Sequence, residues 1–325
     1  MTKIYHSKEI QPFLGNLKQE LKQTFADCKI IAIKIHFGEP GNRSAFTPEQ
    51  IKPITNILKE LNINFFLYDS SVNYSSLRDN PITHKKFAID KGWGNLGEIK
   101  TDDDFILVNG KNMNYEVCKS LIDADGVLVI SHVKGHVCTG FGGAIKNLGM
   151  GALTKKTKVS IHAGGSVYFK GECNQCNACV NACPLNGIEV TDKPNFKLCY
   201  GCSNCVDVCP NNAIHFNLNY FDVLLAEGAS CAQSQFKKCY YINIMNNISR
   251  LCDCESDAKE MIAQDAGYLS GKDGVAIDKA SHDIIIKNEG NDVFLKNNKK
   301  TGLQQIEYAE SFNMGSQEYE LVSLE

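Results

Sequence analysis

A duplicated cysteine motif in the middle of the chain limits the fold more than any other feature. The run C-x2-C-x2-C-x3-C-P occurs twice within residues 171–217, at an offset of 26 residues. The first copy comprises Cys173, Cys176, Cys179, Cys183 and Pro184, and the second comprises Cys199, Cys202, Cys205, Cys209 and Pro210. The match continues past the cysteines, because Asn186 and Ile188 correspond to Asn212 and Ile214. The repeat therefore predicts a small duplicated unit.

The spacing of these cysteines favours two [4Fe–4S] clusters. Three cysteines so spaced let one tight loop wrap a cubane, and the fourth, followed by proline, lies on a short helical turn. This segment resembles bacterial two-cluster ferredoxins, in which the fourth cysteine of each run binds the other cluster. We therefore expect one cluster on Cys173, Cys176, Cys179 and Cys209, and the other on Cys199, Cys202, Cys205 and Cys183. The alternatives are two zinc sites or two disulfide pairs, but zinc knuckles use two C-x2-C pairs.

The overall composition narrows the classes of function. The chain has 325 residues, a formal net charge of −3 and a pI near 6.3, which gives no indication of a nucleic-acid partner or a membrane-surface partner. We find no signal peptide at the start and no apolar run as long as a membrane span. Eight of the fifteen cysteines fall in the two runs, so thiolate ligation in a reducing compartment is the better interpretation than disulfides. We therefore expect a cytoplasmic protein.

A pattern of alternating strands and helices surrounds the cysteine-rich segment. Apolar patterns predict strands at 31–37, 63–68, 105–108, 127–130 and 159–162. Thr47, Pro48 and Gln50 form a capping-box pattern that predicts the start of a helix after the first of these strands. Strands separated by helices are typical of an α/β domain with a mainly parallel sheet.

The predicted domain organisation follows from the interruption of this pattern. We expect residues 1–166 and 218–325 to form one discontinuous α/β domain, because helical faces resume after 218. Residues 167–217 are expected to form an inserted ferredoxin-like lobe with two [4Fe–4S] clusters.

A glycine-rich basic segment follows the strand predicted at 127–130. Residues 131–151 contain Lys134, His136 and Lys146 among six glycines. Ligands of open α/β sheets bind at the carboxyl ends of strands, where free N–H groups can bind an anion. We expect these three side chains to be catalytic residues of a substrate or cofactor site. The alternative is a glycine-rich turn that packs under the inserted lobe.

Two cysteines outside the runs have a spacing suited to metal binding. In an extended segment Cys252 and Cys254 point the same way, so both thiolates can bind one ion. We predict an additional metal ion or third cluster on Cys252, Cys254 and His132, with His136, His162 and Cys138 as further ligand candidates. The alternative is a pair of buried, inert thiols. At other strand ends, His36, Glu39 and Asp69 are either site residues or ordinary capping and hydrogen-bonding groups.

Several of these segments together resemble one family. They are Lys34–Glu39 (KIHFGE), Lys134–His136 (KGH), Phe141–Gly151 (FGGAIKNLGMG), Cys252–Cys254 (CDC) and Ser270–Asp278 (SGKDGVAID). The chain is identified by them as an iron–sulfur member of the domain-of-unknown-function family 362, some members of which carry a ferredoxin insertion at this place. The resemblance covers nearly the whole chain and implies an α/β domain and an iron–sulfur protein. A more distant likeness to the lactate racemase superfamily concerns the fold alone.

Three functions are compatible with these observations. The first is an iron–sulfur oxidoreductase that passes electrons from a donor protein through two [4Fe–4S] clusters to a small-molecule substrate or a third metal centre. The second is an electron carrier or cluster-assembly protein without substrate chemistry of its own. The third is a non-redox lyase or isomerase with structural clusters. We favour the first, because a carrier needs only residues 171–217.

Overall fold

An eight-stranded sheet organises the chain, which is described in full, from residue 1 to residue 325, by a computed structural model. The strands are β1 (Thr2–Ser7), β2 (Ile30–Lys34), β3 (Asn64–Tyr68), β4 (Glu98–Lys100), β5 (Phe105–Asn109), β6 (Asn114–Cys118), β7 (Gly126–His132), β8 (Lys134–His136), β9 (Gly140–Gly142), β10 (Val167–Phe169), β11 (Ile188–Val190), β12 (Pro194–Phe196), β13 (Ile214–Phe216), β14 (Cys239–Met245), β15 (Gly267–Gly271) and β16 (Tyr319–Ser323). The α-helices are α1 (Ile10–Thr24), α2 (Pro48–Glu60), α3 (Pro81–Asp90), α4 (Lys119–Asp123), α5 (Ala144–Gly151), α6 (Lys155–Gly165), α7 (Ala178–Ala182), α8 (Asn204–Asp207), α9 (Phe221–Gln233), α10 (Gly274–Glu289), α11 (Val293–Asn298) and α12 (Leu303–Ser311).

The main sheet is mostly parallel. Its strand order is β16-β1-β15-β14-β7-β2-β3-β4, and only β15 runs opposite to the other seven strands. Strands from both sides of residues 167–217 therefore belong to one sheet. The structure confirms the predicted α/β class and the predicted, mainly parallel sheet.

The sheet has a hydrophobic core on each face. Alternate residues of a strand point to opposite faces, and β2 follows this rule. Ile31 and Ile33 lie in a core with residues of α1 and α2, whereas Ala32 lies in a larger core with residues of α5, α9, α10 and α12. The helix predicted after Thr47 begins there, with the capping box formed by Thr47 and Gln50.

Two predicted strands differ from the structure. Residues 159–162 belong to helix α6, which Thr154 caps by accepting the N–H of Thr157. The apolar alternation there is misleading because Val159 is 48% exposed and only Ile161 is buried. Strand β5 forms as predicted, but it pairs only with β6 in a hairpin outside the main sheet.

The cysteine-rich segment repeats its backbone as well as its sequence. Three pairs of residues at the 26-residue offset have left-handed backbone angles: Gln175 and Gly201, Asn177 and Ser203, Asn186 and Asn212. Helices α7 and α8 start 26 residues apart, as do strands β11 and β13. The segment also has its own small apolar cluster around Cys179, Cys183, Ile188, Cys205 and Ile214. Its ferredoxin-like character and its division from the rest as a separate domain stay predictions.

Candidate functional site

The candidate site lies at the point where the order of the parallel strands reverses. The chain passes from β2 to β3 and β4 on one side, and then places β7 on the other side of β2. Such a crevice, at the carboxyl ends of the strands, is where open α/β sheets bind ligands. Lys34 ends β2, Asp69 follows β3 and His132 ends β7.

A cavity of about 130 Å³ opens at this place, here called the switch-point cavity. Five cationic side chains, four histidines, two carboxylates and two thiols line it: Lys34, Arg78, Lys134, Lys146, Lys158; His36, His132, His136, His162; Asp69, Asp253; Cys252, Cys254. The cavity is therefore rich in positive charge although the chain carries a net charge of −3.

One end of the cavity is held by a buried ion-pair network. Asp69 accepts from the Nζ of Lys34 at 3.0 Å and from the guanidinium of Arg78 at 2.9 Å, and Arg78 also pairs with Glu39 at 3.0 Å. Burial alone raises the pKa of the Asp69 carboxyl, but the charges of Lys34 and Arg78 outweigh this effect and lower it. Lys34 also donates to Oδ1 of Asn147 at 2.7 Å. The charges of this network balance one another.

Two other lysines have no carboxylate partner. The ammonium of Lys158 donates to the hydroxyl of Ser70 at 2.8 Å and to the carbonyls of Ser70 and Ser71, all of them neutral groups. The ammonium of Lys146 makes no hydrogen bond and no ion pair. Burial lowers the pKa of each lysine to about 8. Both ammonium groups are thus available to neutralise an anion.

Lys134 and His132 instead surround one aspartate. Asp253 Oδ2 lies 2.8 Å from Nδ1 of His132, and Asp253 Oδ1 lies 3.8 Å from Nζ of Lys134. The other ring nitrogen of His132 contacts the carbonyl of Asn246 at 2.7 Å. Both ring nitrogens of His132 are therefore engaged, and neither is free for a metal. Burial lowers the pKa of Lys134 to about 8, although Asp253 opposes the shift.

His136 is fixed in one tautomer. Its Nδ1 accepts the backbone N–H groups of Cys138 and Thr139, each at 3.3 Å. The hydroxyl oxygen of Thr139 also lies 2.9 Å from Nδ1. Because the two N–H groups can only donate, they favour the tautomer in which Nδ1 accepts and Nε2 carries the hydrogen. Burial and the nearby charge of Lys146 hold the pKa of His136 well below its usual value, so the ring stays neutral.

The structure groups His136 rather than His132 with the two thiols. One ligand atom from each of His136, Cys252 and Cys254 lies within 4.8 Å of the others, as in a candidate metal site. Cys252 and Cys254 are joined as a disulfide, with their Cα atoms 5.3 Å apart. The sequence predicts His132 as the third ligand beside Cys252 and Cys254. In the structure His136, and not His132, lies beside the two cysteines.

The glycine-rich segment positions this group but does not offer a free helix terminus. The N–H groups of Ala144 and Ile145 donate to the carboxylate of Asp278 at 2.7 and 2.9 Å. A Cβ on Gly143 would lie 2.2 Å from Oδ1 of Asp278, so the close approach requires glycine. The N–H groups expected to bind an anion are thus already bonded to Asp278. The positive charge of the site comes instead from the lysine and arginine side chains of the cavity.

Two smaller cavities in the inserted segment each collect four motif cysteines. One, of about 20 Å³, is lined by Cys173, Cys176, Cys179 and Cys209, and the other, also of about 20 Å³, by Cys183, Cys199, Cys202 and Cys205. These are the crossed sets expected from the sequence. Backbone N–H groups also point at sulfur: Gly187 donates to Cys183 at 3.3 Å and Ala213 donates to Cys209 at 3.3 Å.

A short contact joins the second of these cavities to the switch-point cavity. Tyr200, which lies between Cys199 and Cys202, accepts through its carbonyl from Nδ1 of His162 at 2.7 Å and from the thiol of Cys138 at 3.6 Å. His162 lines the switch-point cavity, and Tyr200 lines the second four-cysteine cavity. His162 of helix α6 and Tyr200 therefore connect the linings of the two cavities through one hydrogen bond.

The sequence located part of this site. Lys134, His136 and Lys146, the predicted catalytic residues, line one cavity with Cys252 and Cys254. Cys138 lies outside its lining, behind His162. Arg78 and Lys158 escaped sequence reasoning altogether. Lys158 precedes His162 by one helical turn, but the apolar alternation at 159–162 predicts a strand and hides this helical spacing.

The fold and site define an α/β protein with a cationic cavity at the switch point of its sheet and a cysteine-rich segment. Its fifteen cysteines and the group of His136, Cys252 and Cys254 suggest metal or cluster binding. The chain belongs to the domain-of-unknown-function family DUF362, whose model matches residues 31–283. No helix in it has the length and apolar character needed to cross a membrane.

Two solved structures are similar to the chain at low identity. A structural-genomics crystal structure of a protein from Thermotoga maritima has a TM-score of 0.41 and 11% identity, over 92% of this chain and 59% of that one. The lactate racemase apoprotein from Thermoanaerobacterium thermosaccharolyticum has a TM-score of 0.39 and 13% identity, over 75% and 50%. The chain thus spans little more than half of either protein. No curated protein matches it.

Proposed function

We propose that this chain is an iron–sulfur oxidoreductase that uses two [4Fe–4S] clusters to reduce a small dianionic substrate in the switch-point cavity. The observation that carries the proposal is this hydrogen bond, because through it Tyr200, in a cavity lined by four motif cysteines, contacts His162 of the cationic cavity. A free-standing electron carrier has no use for such a cavity.

The donor sets fit cubane clusters. Each of the two cavities is lined by four cysteines, and four cysteine ligands are the ligand set of a [4Fe–4S] cluster. Gly187 and Ala213, which follow the left-handed residues Asn186 and Asn212, donate their N–H groups to the sulfurs of Cys183 and Cys209. When bound, the clusters supply one-electron transfer. The eight motif cysteines would hold them, and one cysteine of each set, Cys176 and Cys199, is exposed.

The substrate class follows from the uncompensated charge. Lys34 and Arg78 are balanced by Asp69 and Glu39, and Lys134 faces Asp253. Lys146, which is half-buried, and Lys158, which is buried, remain, and two ammonium groups without carboxylate partners favour a ligand with two negative charges, such as a phosphate ester or a dicarboxylate. These two lysines bind and orient the ligand in our proposal, and His136 offers its Nε2–H.

A third metal centre at Cys252 and Cys254 fits less well. A neutral histidine that binds a metal through one nitrogen normally donates the N–H of the other. In His136 the second nitrogen, Nδ1, accepts two N–H groups instead. Metal binding there requires the loss of these hydrogen bonds, and only two thiolates complete the set. We therefore derive no step through a metal at this place.

Paired cysteine substitutions in the anaerobically purified protein test the cluster assignment. We expect about eight irons per chain and, on reduction, an EPR spectrum with spin–spin coupling between two clusters. Because Cys183 and Cys199 belong to one crossed set, the Cys183→Ser/Cys199→Ser variant should retain about four irons. The Cys183→Ser/Cys173→Ser variant damages both sets and should retain almost none. The matched control is Cys28→Ser, outside both cavities, which should keep all eight.

Iron content tests the pairing of the cysteines, and assays of dianion binding and substrate turnover on the same proteins separate the competing functions. Retention of about four irons by Cys183→Ser/Cys173→Ser, with loss of all iron from Cys183→Ser/Cys199→Ser, would show uncrossed ligation. A protein with both clusters that binds no dianion is a carrier or an assembly factor. Substrate turnover that survives removal of both clusters would identify a lyase or an isomerase.

A further inference from the structure

Cys252 and Cys254 line the switch-point cavity, where a group that accepts two electrons can pass them on to a bound substrate. We propose that Cys252 and Cys254 form a redox-active dithiol–disulfide pair, which collects two single electrons beside the substrate. This inference rests on the proposed function, because the two clusters are its source of electrons. It assigns to these residues a role other than metal ligation.

The positions of the two cysteines allow the bond to form and break. Their Cα atoms are 5.3 Å apart, within the usual range of about 4.4–6.8 Å for bridged cysteines. Both side chains line the switch-point cavity, so a substrate there has access to the sulfurs. Cys252 is buried and Cys254 is half-buried. A small ligand in the cavity can therefore reach Cys252, whereas a bulky thiol from solution has less access to it.

The loop that carries the pair is fixed by its backbone and by Asp253. A Cβ on Gly135 would lie 2.2 Å from the carbonyl oxygen of Arg250, so β8 and the loop are in direct backbone contact. Asp253, between the two cysteines, is held by His132 at 2.8 Å. These contacts involve neither sulfur. They can therefore hold the loop against His136 in both the oxidised and the reduced state.

The proposed chemistry balances in each direction. On reduction the S–S bond breaks, and each of two reduced [4Fe–4S] clusters gives one electron. One proton is added to each sulfur, so that two thiols form. An external electron-donor protein reduces the clusters again. In the reverse direction the S–S bond forms again, and two electrons and two protons pass to the reducible dianion.

Differential alkylation of the cluster-loaded protein tests this pair. The oxidised protein is denatured in iodoacetamide, reduced, and labelled with N-ethylmaleimide, and peptides are then identified by mass spectrometry. We expect Cys252 and Cys254 to carry maleimide. After anaerobic reduction with photoreduced deazaflavin, a single-electron donor, we expect both to carry carbamidomethyl instead. Cys231, outside the three cavities, is the internal control and should carry carbamidomethyl in both states.

A variant without clusters tests the source of the electrons. In Cys173→Ser/Cys199→Ser, which damages both cluster sets, the pair should stay oxidised under the same illumination. Equal reduction in this variant contradicts the dependence on clusters. Carbamidomethyl on both cysteines of the oxidised wild type contradicts the disulfide.

Metal content provides an independent measurement. If the wild type contains one zinc, nickel or iron beyond the eight irons of the clusters, and Cys254→Ser loses only that metal, the pair is a metal site and our inference is wrong. Iron content and EPR signals report on the clusters separately. Failure of the pair is therefore distinguishable from failure of the proposed function.

Discussion

Replacement of Lys146 by methionine is the most direct test of the dianion site. The Lys146 ammonium faces the switch-point cavity and has no hydrogen-bond or ion-pair partner, so its charge is not needed by the fold. Methionine keeps most of the apolar stem and removes the charge. We expect Lys146→Met to fold normally and to bind anions more weakly.

The size of the effect follows from the loss of one charge-assisted hydrogen bond. Such a bond contributes about 1.5–3 kcal/mol, which corresponds to a roughly 10- to 150-fold change in the dissociation constant. Inorganic phosphate is a suitable probe because it carries up to two negative charges near neutral pH. For a dissociation constant of about 1 mM, 10 mM phosphate stabilises the folded state by about 1.4 kcal/mol. A 30-fold weaker site reduces this to about 0.2 kcal/mol.

Thermal unfolding with and without phosphate measures this difference. The unfolding entropy expected for a chain of this length makes 1.4 kcal/mol equivalent to about 2 °C in the melting temperature. We expect that shift in the wild type and almost none in Lys146→Met. The matched control is Lys86→Met on the exposed side of α3, which should retain the full shift.

The pH dependence gives a second measurement on the same samples. Because burial lowers the pKa of Lys146 and Lys158 to about 8, each loses its positive charge as the pH rises through about 8. The affinity for phosphate should therefore fall above pH 8, and less steeply in Lys146→Met. An equal phosphate shift in the variant and the wild type would refute the dianion site at Lys146.

Two further predictions concern the elements that position the site. A methyl group in Gly143→Ala would displace Asp278 from the start of α5, so the free energy of unfolding in urea should fall by about 2–4 kcal/mol. Its control, Gly15→Ala on α1, meets no atom within 4 Å and should be neutral or slightly stabilising; an equal loss in both variants would contradict the explanation. Burial lowers the pKa of His84 to about 3, so the unfolded state binds a proton first and stability should fall between about pH 6.5 and 3. His84→Gln should show a shallower fall in acid titrations, and an unchanged slope would exclude His84 as the cause.

Sequence patterns predicted those parts of the structure that depend on contacts between residues close together in the chain. The capping box at Thr47 lies within four residues, and the helix begins there. The 26-residue repeat of cysteines recurs as a repeat of left-handed backbone angles, because the same short loop is encoded twice. The glycine-rich segment follows β7 at a strand end, which placed Lys134, His136 and Lys146 near one another.

The rest of the site depends on contacts between distant segments. Arg78 lies in a loop without apolar periodicity, and its partner Glu39 is 39 residues away. His132 and His136 are the same residue type in the same segment. They differ only in their partners, since Asn246 and Asp253 occupy His132 whereas two local N–H groups fix His136. Because Asn246 and Asp253 lie more than 90 residues away in the chain, the pattern of residues 131–151 cannot show which histidine they contact.

The cations of the switch-point cavity could instead serve to stabilise the clusters, since a cluster with four thiolate ligands is negatively charged. Other residues already occupy that position. Lys299 donates to the carbonyl of Cys183 at 2.9 Å, and Lys300 donates to the carbonyl of Cys202 at 2.8 Å. Lys146 and Lys158 make no such contact with a motif cysteine and line the larger cavity instead. Two lysine ammonium groups without carboxylate partners, one buried and one half-buried and both apart from the cluster ligands, are best explained by a dianion that binds between them.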